Sequence, residues 1–290
     1  MFESWDKEIC VAVSSFNGVK GLIEGKDLAF KGSPRELKTF DGTKSFLKRA
    51  SRVYFGNETC ARRLPERREI IEAYSLCLSS GKKMSLVLPY AGERDMPSII
   101  SAIEAFSAVN PGGEVIVNDF GIINLIGEKN IPVKMVLGRL ISRQKRDPRF
   151  AIFPHTSNIA EEELSLSSFS VPSFSKFFLG LGVSRAGFSA LPQGTDVSDV
   201  SGFEFDVYWP WVYVTSGRSC QLLGARDPKK GKYPLEGLCG KECLSFAMEP
   251  ENEGDFYAIQ KGNTVWMEVL KPGKLSGDFT RLIYEPVAPA

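Results

Sequence analysis

The sequence predicts an α/β protein with a (β/α)8 TIM-barrel-like fold, complete or distorted, in a chain of 290 residues. Short apolar runs alternate with amphipathic segments through the first two-thirds of the chain, which is the pattern of repeated β–α units. Apolar residues make up 43% of the composition, so the chain can bury a large core. Four or five successive units favour a parallel sheet, and an open doubly wound sheet fits the same pattern.

The predicted elements follow one another in chain order. The strands are short runs rich in Val, Ile, Leu or aromatic residues, at 9–13, 52–55, 84–89, 114–117 and 132–137. The helices repeat apolar residues at helical spacing or begin near a proline, at 44–50, 66–79, 95–106 and 120–127.

The last third of the chain is less regular. Residues 203–214 are apolar and strand-like, but Pro210 interrupts them because proline cannot donate to a sheet ladder. Shorter strand-like runs follow near 256–259 and 265–269. No clear linker divides the chain. We therefore predict one barrel-like domain over residues 1–290, with 244–290 as a strand-like extension packed on it.

Charge and hydropathy limit the classes of function. Lys and Arg number 36 against 35 Asp and Glu, a net charge of +1, so no overall field attracts nucleic acid or an anionic membrane. No segment approaches the roughly 18 apolar residues of a membrane span. The first ten residues hold three acids and no apolar signal region, so we expect a cytoplasmic protein. The single histidine, His155, excludes a zinc site that needs two or three histidines.

Four of the six cysteines are placed as candidates for a metal site. Cys60 lies five residues beyond a predicted strand, at the sheet edge where parallel α/β folds bind ligands. Cys239 and Cys243 form a C-x3-C pair that would face one way on a helical turn, and Cys220 precedes them. Thiolates from separate loops suit a [4Fe–4S] cluster, a [2Fe–2S] cluster or zinc. Buried apolar thiols and a regulatory disulfide are the alternatives.

Polar residues at two other predicted strand ends are candidates for substrate binding. Asn118 and Asp119 follow the fourth predicted strand, and Arg139 follows the fifth. Arginine binds a carboxylate or phosphate through two parallel hydrogen bonds, so Arg139 is the best single candidate for holding a carboxylate substrate. Asp119 fits a helix N-cap at least as well, and the basic loop after Arg139 fits a solvated surface.

Three segments resemble the collagenase-like peptidase superfamily (family U-32), in particular its branch of oxygen-independent ubiquinone biosynthesis. Residues 53–63 (VYFGNETCARR) resemble the first cluster-ligand loop of that branch. Residues 115–132 resemble its strand, D-x-G-x-x-N motif and short helix. Arg218-Ser219-Cys220, followed by the C-x3-C pair, is similar to its R-x-C and C-x3-C ligands. The three matches span most of the chain.

The resemblance implies a barrel-like fold, a [4Fe–4S] cluster on the four cysteines, and hydroxylation without O2 in which prephenate supplies the oxygen atom. It also implies a sister subunit of the same family as partner and a small aromatic or carboxylate molecule as substrate. One alternative is a non-catalytic scaffold that holds the cluster or zinc and supports a catalytic partner. Another is a peptidase, although the sequence has no nucleophile elbow, no H-E-x-x-H motif and no nucleophile with an identifiable base.

Overall fold

Eight parallel strands form the centre of the structure, a computed structural model that describes residues 2–26, 43–146, 163–223, 239–249 and 257–289. The eight strands are, in chain order, β1 (Glu8–Val13), β2 (Arg52–Gly56), β3 (Lys83–Val87), β4 (Glu114–Val117), β5 (Lys134–Leu137), β6 (Arg185–Ser189), β8 (Glu204–Trp209) and β13 (Phe279–Tyr284). The strands outside this group are β7 (Thr195–Asp196), β9 (Trp211–Ser216), β10 (Tyr257–Lys261), β11 (Thr264–Glu268) and β12 (Leu275–Ser276).

The eight parallel strands close into a barrel. Neighbours follow chain order from β1 through β6 to β8 and β13, and β13 then pairs with β1. This closed ring, with helices between its strands, confirms the (β/α)8 TIM-barrel-like prediction. It excludes the open doubly wound sheet, because an open sheet would leave two unpaired edges.

The helices cover the outside of the barrel and begin where the sequence provides caps. They are α1 (Phe16–Ile23), α2 (Thr43–Arg49), α3 (Arg67–Ser79), α4 (Met96–Val109), α5 (Phe120–Glu128) and α6 (Pro172–Gly180). The Ser15 side chain accepts a hydrogen bond from the Gly18 N–H at the start of α1, and Pro97 lies in the first turn of α4. None of the described helices is long and apolar enough to cross a membrane.

The barrel interior is charged at its amino end and apolar in its middle. Arg52 and Arg281 each lie within 3 Å of both Glu8 and Glu114, so that two cations and two anions alternate. Above them an apolar layer fills the barrel, with members on several strands: Cys10, Tyr54, Val87, Ile116, Val136, Tyr208 and Ile283. The barrel is therefore a packed core rather than a channel.

The chain leaves the barrel at Pro210, between β8 and β9. Proline has no N–H for a ladder, and β9 beyond it joins β11 and β10 in a separate antiparallel sheet over the carboxyl end of the barrel. The structure divides the predicted extension 244–290 between two sheets. β10 and β11 of that range belong to the separate sheet, whereas β13 is the last barrel strand, with Leu282 and Ile283 both fully buried as expected for a parallel strand.

Candidate functional site

Cys60 lies at the carboxyl end of the barrel because the chain turns sharply after β2. At the end of β2, Gly56 has φ +139°, and a Cβ there would lie 2.1 Å from the Val87 carbonyl oxygen, so only glycine fits. The Asn57 side chain then accepts hydrogen bonds from the N–H groups of Thr59 (3.0 Å) and Cys60 (2.7 Å). This Asx turn sets the position of the Cys60 thiol.

Two of the remaining candidate cysteines pack against each other. Cys220 follows β9, and Cys243 is buried in the short 3-10 turn Glu242–Leu244. Cys220, Leu222 and Cys243 form a small apolar group. Cys239 is partly exposed at the start of the same described segment. Residues 224–238, which connect Cys220 to Cys239, lie outside the described residues.

The four thiols influence one another electrostatically. Burial and, to a lesser extent, the neighbouring Cys243, Cys239 and Cys220 thiols together raise the pKa of Cys60 to about 11. Burial also raises the pKa of Cys220 and Cys243, and each of these is raised in addition by the thiol of Cys239. These effects, together with the packing of Cys220 against Cys243, indicate that the four predicted ligands lie within electrostatic range of one another.

The four thiols lie within electrostatic range of one another, but their side chains are not arranged to bind one metal ion. As the side chains stand, the described residues contain no group of three or more His, Cys, Asp or Glu that could hold a metal ion. Four soft thiol donors from separate segments nonetheless suit an iron–sulfur cluster or zinc in their chemistry. A metal centre would require these side chains to turn toward a common point, so ligation by the four cysteines stays a prediction.

A hairpin that the sequence analysis did not single out holds the cysteine loops together. In the turn between β10 and β11, the Asn263 side chain donates to the carbonyl oxygens of Thr59, beside Cys60, and Gly217, before Cys220. Gly262 in the same turn has φ +65°, and a Cβ there would lie 4.0 Å from the Cys243 sulfur. The Gly-Asn pair between two strand-like runs was the sequence signal for this turn.

A cleft of about 960 Å³ opens beside Cys60 and Cys220. Its wall carries side chains of both charges, and its lining includes Arg62, Tyr90, Glu93, Arg94, Asp95, Asp119, Arg218 and Asn263. A small molecule in this cleft would lie against two of the four thiols.

Arg139 is buried rather than facing the cleft, with 1% of its surface exposed. Its Nε donates to Glu58 (2.7 Å), its two terminal nitrogens donate to Glu285, and one of them also donates to the Trp211 carbonyl oxygen (2.7 Å). The guanidinium stacks over the Tyr208 ring at 4.2 Å. A substrate carboxylate would have to displace one of these protein partners, so the structure gives Arg139 a structural role, and substrate binding by it stays a prediction.

The group around Arg139 has two carboxyl groups for one cation. Two buried carboxylates, Glu58 and Glu285, share one guanidinium. Burial raises the pKa of Glu285 to about 8, and the charge of Glu58 adds to the increase against the opposing effect of Arg139. The second oxygen of Glu58 is buried and has no hydrogen-bond partner among the described residues.

Asn118 and Asp119 connect neighbouring strand ends. The buried Asn118 side chain donates to the Leu88 carbonyl oxygen (2.9 Å) and accepts from the Leu140 N–H (3.2 Å). Asp119 accepts from the Gly121 N–H (2.7 Å) and caps α5, which confirms the N-cap interpretation. Asn118 is thus used within the protein, while Asp119 also lines the cleft. A substrate contact by either residue stays a prediction.

Comparison of this chain with protein-family models, with curated proteins and with solved structures finds no match in any of the three. The fold and site define the class of protein by themselves: a (β/α)8 barrel with four grouped thiols beside a cleft at its carboxyl end. The resemblance to family U-32 stays a prediction that depends on the motifs of the sequence.

Proposed function

We propose that this protein is an iron–sulfur protein of oxygen-independent hydroxylation, of the type that acts in ubiquinone biosynthesis (UbiV type). A [4Fe–4S] cluster would be held by four thiolates, those of Cys60, Cys220, Cys239 and Cys243. The supporting observation is that these thiols come from separate segments and influence one another electrostatically, and that two of them, Cys60 and Cys220, line the cleft. Bound there, the cluster would supply one-electron transfer beside the cleft.

The donor chemistry favours a soft metal centre. The thiols of Cys60, Cys220 and Cys243 have raised pKa values, so they carry protons near neutral pH unless a metal replaces them. Metal binding would therefore release protons and strengthen with rising pH. Zinc is the alternative occupant, although structural zinc sites more often use C-x2-C than the C-x3-C spacing found here.

The cleft suits a small carboxylate or aromatic substrate. Its volume of about 960 Å³ is at the upper end of the range usual for small-molecule sites. Arg62, Arg94 and Arg218 on its wall are cations that can bind carboxylates, and Tyr90 offers an aromatic ring. Prephenate, the oxygen donor of the family that the sequence resembles, carries two carboxylates and matches this lining.

A partner subunit of the same family (UbiU-like) is part of the proposal. An apolar surface on α5, α6 and the turn before α6 supports it, because Phe120, Val171 and Phe177 are each 55% exposed around a groove of about 290 Å³. The six cysteines are free thiols, which supports a reducing, cytoplasmic location.

Metal analysis of anaerobically purified protein tests the proposal. We expect a brown protein with about four iron and four sulfide per chain and little zinc. Cys239→Ala should lose most of the iron, whereas Cys77→Ala, which removes a thiol on the buried face of α3, should retain it. Colourless protein with one zinc per chain, or iron content unaffected by Cys239→Ala, would contradict the proposed cluster.

A second measurement separates an enzyme from a scaffold subunit. If substrate or oxygen donor binds beside the cluster, adding prephenate should change the visible absorption or the electron paramagnetic resonance spectrum of the iron–sulfur protein. A spectrum that does not respond, together with activity that appears only when a sister subunit is added, would instead support the scaffold role.

A further inference from the structure

Two buried cations lie next to Cys243. Arg63, in the turn that follows Cys60, is 7% exposed, and Lys261, at the end of β10, is 4% exposed. Burial raises the pKa of Cys243, and the charges of Arg63 and Lys261 oppose that increase. Burial lowers the pKa of Lys261 to about 8, and the Cys243 charge opposes that decrease. Both cations are therefore within electrostatic range of the same sulfur.

Their positions follow from the backbone. Lys261 precedes Gly262, whose Cα is so close to Cys243 that an added Cβ would lie 3.6 Å from the Cys243 Cβ. The Lys261 ammonium donates to the Ala288 carbonyl oxygen at 2.8 Å, which ties it to the segment after β13. Lys261 is thus held in place beside the thiols by its strand and by this hydrogen bond.

Arg63 carries hydrogen-bonding capacity that the protein does not use. One of its terminal nitrogens donates to the Ser14 carbonyl oxygen at 3.2 Å. Its Nε is buried and lacks a hydrogen-bond partner in the part of the chain that the structure describes, and no described carboxylate forms an ion pair with Arg63. A buried donor without a partner is costly, so an anionic group near it would be stabilising.

We propose that Arg63 and Lys261 form a buried cationic pair that offsets the negative charge of the cluster and raises its reduction potential. The inference rests on the proposed cluster. Four thiolates outnumber the positive charge of an oxidised [4Fe–4S] core, so the centre is anionic, and taking up one electron makes it more so. Cations in a partly desolvated site stabilise the reduced form more than the oxidised form.

The redox potential of charge variants tests this inference. Lys261→Met keeps the length of the side chain and removes its charge. We expect at least a tenfold shift of the one-electron equilibrium toward the oxidised cluster, which is about 59 mV more negative. Arg63→Met should shift the potential in the same direction. Lys261→Arg should restore it, and Lys271→Met, which removes an exposed charge, should leave it unchanged.

The possible outcomes separate this inference from the proposed function. If the natural protein holds iron and sulfide and the potential of both Met variants equals that of the natural protein, the inference fails and the cluster stands. If the natural protein holds no iron, the cluster and the inference fail together. Iron lost from Lys261→Met but retained in Lys261→Arg supports the inference, because only the charge is restored, whereas iron lost from both variants overturns it.

Discussion

The two ends of the barrel treat buried polar groups in opposite ways. At the amino end Arg52 and Arg281 are matched by Glu8 and Glu114, and each charged side chain contacts two of opposite sign. At the carboxyl end buried polar atoms are left without hydrogen-bond partners in the described parts of the chain: Asn57 Nδ2, Glu58 Oε1 and Arg63 Nε. Native proteins rarely leave such groups unpaired without a reason, so the carboxyl end is where ligand chemistry is expected.

The two ends also differ in charge balance around arginine. The amino-end group has two arginines for two glutamates, whereas at the carboxyl end Arg139 alone serves Glu58 and Glu285. In a matched buried group every charge has a partner of opposite sign, so the group stabilises one structure and has no unpaired charge with which to bind a ligand. An unmatched group keeps a titratable proton or binds a further ion. The amino end is therefore structural, whereas the carboxyl end has buried polar groups that a bound ligand or ion would satisfy.

The largest effect should come from breaking the matched group. Arg281→Met removes a cation that contacts Glu8 and Glu114 and leaves both carboxylates with less compensation in the barrel interior. We expect a loss of about 3–5 kcal/mol in the free energy of unfolding, because removing one member of a buried ion pair leaves the other charge buried without compensation. Chemical denaturation measures this loss.

The control for Arg281→Met is Arg68→Ala, which breaks an exposed pair with Glu72 on α3. That change should leave the free energy of unfolding almost unchanged, since exposed ion pairs contribute little. A similar cost for both variants would mean that the amino-end group is not the structural centre that its contacts indicate.

The unmatched group should give a smaller effect that depends on pH. Burial raises the pKa of Glu285 to about 8. Between the usual carboxyl pKa and pH 8, the folded protein therefore holds a proton on Glu285 that the unfolded chain has released. Stability should therefore fall as pH rises from about 5.5 to 7.5, with a slope of at most about 1.4 kcal/mol per pH unit.

Glu285→Gln tests this slope because glutamine does not titrate. The variant should show a flatter dependence of unfolding free energy on pH over the same range, whatever its absolute stability. Glu104→Gln, on the exposed face of α4, should keep the slope of the natural protein. If Glu285→Gln and the natural protein have parallel curves, Glu285 does not keep its proton on folding, and contacts other than these compensate the second carboxyl group around Arg139.

The same contrast separates the features that could be predicted from the sequence from those that could not. The barrel was predictable because strand and helix periodicities are local, and Asp119 as an N-cap follows from its place before α5. The neighbourhood of the four thiols was predicted from spacing and resemblance. The burial of Arg139 was not, because Glu58 and Glu285 lie 81 and 146 residues away in the sequence. The same holds for β13, whose place in the barrel depends on pairing with β1 at the other end of the chain.

The smallest expected effect concerns the hairpin that joins the cysteine loops. Asn263→Ala removes side-chain hydrogen bonds to the carbonyl oxygens of Thr59 and Gly217, which costs about 1–2 kcal/mol locally. The thiols of Cys60 and Cys220 in metal-free protein should then be alkylated several-fold faster, as mass spectrometry of the labelled peptides can measure. Asn124→Ala, which loses only an exposed contact with Glu128 on α5, should leave both rates unchanged. Unchanged rates in Asn263→Ala would mean that the carboxyl end holds its thiols without the hairpin and is more rigid than the contrast with the amino end implies.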